Sequence, residues 1–295
     1  MASTPSTRAT RPSKRRLAAR GVKLTQAYAA SPLCSPTRSS ILAGQYPART
    51  GITAPVCHLP QVQLEKRLSP GNPNQRVLVA DSLTRLKTDH KTLANVFHDA
   101  GYATAHFGKW HLGHGKGYEA RDRGFDVDIP HTPRAAGPGG GYLAPWRFVT
   151  DKEFAGKQGE HIDLWMAGKA GEFIQSNRGK PFFINFWMYS VHGPWNAEAS
   201  RVEGFKKSAD PKAAQRNPLY AAMLSHMDEA VGALFHPGRA DYVTGARGVV
   251  VPRLDAAARC RIPRDREHGE PGRDELQEAL LLGGQRWRRS PRRLR

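Results

Sequence analysis

Residues 180–195, KPFFINFWMYSVHGPW, place the tightest limit on what this chain can fold into. From Phe182 onward aromatic and branched residues run nearly without interruption, where a half-exposed strand would alternate them with polar ones. A continuous run needs apolar cover on both faces, which a mostly parallel sheet with helices on either side provides.

The flanking segments supply that cover. KTLANVFHDAG (91–101) puts Leu93, Val96, Phe97 and Ala100 on one helical face and Gly101 at a stop. YATAHFGKWH, from Tyr102, follows as a predicted strand. AGKAGEFIQSNRG (167–179) predicts a helix ended by Gly179, and PLYAAMLSHMDEAVGALF (218–235) repeats Leu219, Met223, Met227, Val231 and Leu234 as an amphipathic helix. Alternating helices and strands predict a layered α/β fold over residues 17–235. The Gly- and Pro-rich span 113–151 predicts long surface loops able to line a pocket.

Composition excludes several classes. Three cysteines, Cys34, Cys57 and Cys260, with no CxxC pair, argue against a disulfide framework or a structural zinc site. No apolar run is long enough to span a bilayer. Residues 1–16 carry basic residues without an apolar segment behind them, so they read as a disordered or misassigned start and not as a secretory signal. The net charge of +19 raises the question of nucleic acid. Much of the arginine, however, falls in residues 236–295, where lysine is absent and Arg, Pro and Gly dominate. That segment reads as an out-of-frame tail in preference to a nucleic-acid-binding one.

The chemistry concentrates in SPLCSPTRSSILAGQYPARTG (31–51). If a helix opens here, Cys34 stands at its N-terminal end, where the helix dipole favours anions, and Pro36 lies in the first turn. Arg38 follows one turn later on the same face. Singly, each of these features has an ordinary structural explanation. In order along the chain they do not stand alone: Cys34-Ser35-Pro36-Thr37-Arg38 with Leu42-Ala43-Gly44, then GYATAHFGKWHLG (101–113), then FFINFWMYSVHGP ending at His192 and its Gly-Pro.

Together these motifs resemble the type I sulfatases, the formylglycine-dependent arylsulfatase family of the alkaline-phosphatase-like superfamily, over roughly residues 12–235. The resemblance implies an α/β, mostly parallel or mixed sheet between helices, incomplete at both ends. It implies a sulfuric ester hydrolase whose cysteine, here Cys34, is oxidised to formylglycine by a formylglycine-generating enzyme. The hydrated aldehyde attacks the ester and then expels sulfate by elimination, which splits one hard step into two.

By the same resemblance Arg38 holds the diol, Lys109 bridges diol and sulfate, His111 takes the diol proton and His192 helps protonate the leaving oxygen. An imidazole near neutrality suits such proton work. Lys109 and His111, two apart on an extended strand end, are expected on the same side. Trp110 and His114, beside the second motif, are expected in the pocket wall.

The family also uses Ca2+ or Mg2+, bound by formylglycine (position 34 here) and by Asp-Asp and Asp-Asn pairs. Those pairs are not found before Leu17 or beyond Phe235. The expectation is therefore a sulfate ester hydrolase with impaired turnover. The alternatives are a phosphonate or phosphate monoester hydrolase of the same superfamily, or a non-catalytic basic fragment that binds nucleic acid. Family members are often periplasmic, secreted or lysosomal, and the sequence assigns no compartment.

Overall fold

A computed structural model describes residues 26–71, 74 and 76–235, together with residues 13, 18 and 19. The readings of 236–295 as a tail and of 1–16 as a start lie outside the described residues, Ser13 excepted.

Six α-helices and five strands follow in chain order among the described residues from 26 onward: α1 (Cys34–Ala43), α2 (Pro47–Thr50), β1 (Leu68–Pro70), β2 (Leu78–Ala80), α3 (Leu93–Asp99), β3 (Ala103–Gly108), β4 (Val127–Ile129), α4 (Ile162–Ser176), β5 (Phe182–Trp187), α5 (Ala199–Lys207) and α6 (Pro218–Phe235). The main sheet is three-stranded and parallel, in the order β4–β3–β5, with Phe107 opposite Ile129 on one side and Phe186 on the other. β1 and β2 form a separate, exposed antiparallel hairpin.

The period of two in β3 divides the core. Ala105 and Phe107 point to one face, where Ala170 of α4 and Leu234 of α6 meet them. His106 points to the other, toward the rings of Trp110, Phe125 and Trp187. Leu42 of α1 and Ala94 of α3 join that second cluster. Helices thus cover both faces, which is the arrangement the uninterrupted run in β5 requires.

Local sequence explains the helix ends. Thr92 caps α3, its hydroxyl accepting from the Asn95 N–H at 3.1 Å while Asn95 Oδ1 accepts from the Thr92 N–H at 3.0 Å. α1 stops at Gly44, which takes the left-handed conformation (φ 65°) and donates to the Ser40 carbonyl at 2.9 Å. No helix among the described residues is long and apolar enough to cross a membrane.

Two expectations need correction. α4 begins at Ile162, several residues before the predicted start, because His161 caps it by accepting from the Asp163 N–H. The span 113–151 is also more than surface loop: it contains β4, and Tyr142, Ala144 and Trp146 are buried core residues. Gly and Pro mark its turns correctly, but turns between core-filling aromatics can themselves lie inside.

Candidate active site

Cys34 is the first residue of α1, and Leu33 before it offers no side-chain cap. The positive end of the helix dipole therefore faces the position of the Cys34 side chain. Arg38, one turn on, is fully buried beneath it. Its Nη1 donates to the Lys109 carbonyl, and its guanidinium lies 4.5 Å over the Trp187 ring. Planar stacking of this kind lets a cation sit in an apolar layer.

The second group comes from the C-terminal ends of the parallel strands, where ligands of open α/β sheets are usually met. β3 ends at Gly108 with φ 104°, and a Cβ there would stand 2.0 Å from the Trp187 carbonyl oxygen. Only glycine fits this close approach of β3 to β5. The next residue, Lys109, donates its N–H to that same carbonyl at 3.0 Å. Its side chain, 1% exposed, reaches Cys34 with Nζ at 3.4 Å from Sγ and also donates to the Ala136 carbonyl.

His192 follows β5. It hydrogen-bonds the Cys34 side chain, which raises its basicity above the ordinary imidazole value against desolvation and the Lys109 charge. Gly137 packs on its ring so closely that a Cβ would lie 2.6 Å from Nδ1. The loop before His192 is held by Asp163 at the start of α4, which accepts from the Tyr189 and Ser190 N–H groups at 2.9 and 3.1 Å and from the Ser190 hydroxyl. Burial pushes this carboxyl up to about 6, and those hydrogen bonds oppose the shift.

The predicted residues are thus brought together unevenly. Cys34 is met by both Lys109 and His192, and Arg38 supports Lys109 from behind. His111 is buried as well, and it engages His58, whose Nδ1 stands 2.9 Å from His111 Nε2. Lys109 and His111 do not share an extended strand end, because β3 stops at Gly108 and His111 has φ 54° in the left-handed region. Trp110 and His114 are structural: Trp110 is in the core with its indole N–H on the Tyr118 carbonyl at 2.8 Å, and His114 Nε2 is 3.0 Å from the Leu59 carbonyl and 2.9 Å from Arg85 Nη2.

Three contributors escaped sequence reasoning. Asp163 sits inside an ordinary helix start, His58 belongs to no motif, and the Ala136 carbonyl carries no side-chain signal at all. Only the Gly-rich character of 137–141 hinted that this span approaches something closely.

No group of three or more His, Cys, Asp or Glu side chains among the described residues is placed to hold a metal ion. The described residues therefore do not by themselves form the expected cation site.

A protein-family model described as Sulfatase matches residues 1–237. Among curated proteins, N-acetylgalactosamine-6-sulfatase of Mus musculus is 28% identical over 197 residues, covering 62% of this chain and 35% of the relative. Arylsulfatase G of Homo sapiens is 28% identical over 250 residues, covering 74% and 42%. Steryl-sulfatase of Homo sapiens is 41% identical over 98 residues, covering 33% and 14%. The chain spans less than half the length of each of these relatives. Among solved structures, Ps i-CgsB aligns with TM-score 0.56 at 22% identity over 77% of this chain and 49% of the other. The fold is that of the alkaline-phosphatase-like α/β proteins, as expected.

Proposed function

Because the chain belongs to the sulfatase family by its match over residues 1–237, we propose that it carries the nucleophile side of a sulfuric ester hydrolase centre, with residues 17–235 as its catalytic part. The observation that carries the reading is the meeting of Lys109 Nζ, His192 and the Cys34 side chain at the unstoppered N-terminus of α1. A thiol kept only for packing would not need a lysine ammonium, a histidine and a helix dipole around it.

Formylglycine, once made from Cys34 by a formylglycine-generating enzyme, supplies a hydrated aldehyde, a nucleophile able to release sulfate by elimination. The remaining roles belong to this chain's own side chains. Lys109 places its ammonium beside position 34, where it neutralises the anionic ester and the charge that grows on its oxygens. Arg38 fixes the Lys109 backbone and adds positive potential from below. His192, which already bonds the Cys34 side chain, is assigned the proton that the leaving alcohol takes up. His111, the histidine of the GKWH motif, is assigned the role of base for the hydroxyl at position 34 by the family resemblance.

The substrate class is a sulfate ester. Coexpression with a formylglycine-generating enzyme, followed by mass spectrometry of the Cys34 peptide and turnover of para-nitrophenyl sulfate, tests the proposal. The expected result is the aldehyde at position 34 and hydrolysis above that of a Cys34→Ala control. An intact thiol, or para-nitrophenyl phosphonate cleaved in preference to the sulfate, would overturn it. The same assay reads the expectation of impaired turnover: a rate that calcium does not raise keeps it, and a calcium-dependent rate removes it.

A further inference from the structure

His58 belongs to no sequence motif, yet it is the residue that engages His111. Its Nδ1 lies 2.9 Å from His111 Nε2, with ring centroids 5.2 Å apart. The backbone around it is anchored on both sides. Cys57 is fully buried, and the Leu59 carbonyl accepts from Arg85 Nη1 at 3.1 Å and from His114 Nε2 at 3.0 Å. His58 itself is half-buried, while His111 is 1% exposed. A fixed, partly wet imidazole thus holds a fully enclosed one.

We propose that His58 is a positioning residue for His111: by accepting a hydrogen bond from Nε2 it locks the ring's orientation and its tautomer, so that the proton work of His111 is done through Nδ1. The chemistry admits two arrangements, since a bond between neutral imidazoles needs one N–H and one lone pair. If His58 donated, His111 would carry its proton on Nδ1 and could not accept another there. If His111 donates from Nε2, Nδ1 keeps its lone pair and is a base. The inference rests on the reading of His111 as the base, which requires the second arrangement. An orienting partner on the far nitrogen is the usual means of fixing a catalytic imidazole.

The test uses the full chain in two arms. Long-range 1H–15N correlation on the unmodified protein, with the His111 signals assigned by their loss in His111→Gln, should find His111 protonated on Nε2. His58→Leu should give a mixture of tautomers, and His58→Asn, whose side-chain amide oxygen can stand near the site of Nδ1, should restore the single form. In protein converted at Cys34, His58→Leu should lower kcat by about tenfold or more with KM little changed, and His58→Asn should recover most of it. Identical His111 tautomers in all three proteins would overturn the proposal, as would an Nδ1–H form in the unsubstituted chain or an unchanged kcat in His58→Leu. If the unsubstituted chain forms the aldehyde but turns over no ester, the hydrolase reading fails and the NMR arm alone decides the role of His58.

Discussion

His58 and His111 are joined by a 2.9 Å hydrogen bond beside the C-terminal ends of the parallel strands. His161 and His226 lie stacked between α4 and α6, ring centroids 4.1 Å apart, with Tyr142 stacked on His161 in turn. Both pairs include fully enclosed imidazoles, but their surroundings differ. On the first side, the cations of Lys109 and Arg38 and the more basic imidazole of His192 gather about position 34. In the second, neither nitrogen of His226 has a hydrogen-bond partner among the described residues, and burial pushes both imidazoles down to about 3. Rings held neutral at physiological pH act as flat packing pieces. The lesson is that a histidine's role follows from what its nitrogens meet.

The sharpest way to break this contrast is Cys34→Ala. Aldehyde formation and ester turnover should fall to background, while thermal unfolding is little changed because Cys34 is only partly buried at a helix end. Gly108→Ala should come next. A Cβ forced to within 2.0 Å of the Trp187 carbonyl at φ 104° should cost several kcal/mol in urea unfolding and part β3 from β5 where Lys109 emerges. Lys109→Ala should lower turnover by roughly two to three orders of magnitude, the scale for removing one group that stabilises a developing charge. Retained turnover would move the site away from the strand ends.

The packing region is tested by acid. His106, His161 and His226 have folded values of about 4, 3 and 3 against 6.5 for the free group, so between about pH 4 and 6 the unfolded chain takes up protons there that the folded chain does not. Asp163 has the opposite sign, since its carboxyl is raised from 3.8 to about 6 and the folded state holds that proton. Three groups against one means that stability should rise with pH across this window and be lost as pH falls. His226→Leu should flatten that slope by at most about 1.4 kcal/mol per pH unit and leave aldehyde formation at Cys34 intact. An unchanged slope would show that the stacked pair is not the neutral packing unit described. The smallest effect should come from Thr92→Ala, which removes the α3 cap at a cost of about 1 kcal/mol and leaves both histidine pairs as they are.

Much of the fold was legible because it is local. The uninterrupted run of β5 and the face of α6 repeat with the period of one element, and each formed where its pattern placed it; α3 formed too, but it buries Ala94 and leaves Leu93 and Val96 of the expected face exposed. β4 was missed because three residues inside a Gly-rich span have no period of their own; they become a strand by pairing with β3. The site divides in the same way. Cys34 and Arg38 were readable as neighbours because four residues make one helical turn. The extended strand end assumed for Lys109 and His111 did not form, because β3 stops at Gly108 and His111 adopts the left-handed conformation.

What the sequence determined by itself, then, is the set of parts: a strand that must be covered on both faces, and a cysteine at a helix start with an arginine one turn below. Periodicity and steric limits act over a few residues, so they can be read without the rest of the molecule. Only the tertiary structure decided that Lys109, 75 positions away, would reach Cys34, that Asp163 would hold the loop before His192, and that His58 would hold His111. These meetings depend on parallel strand order and on which helix covers which face, and no local pattern encodes a distance across the sheet.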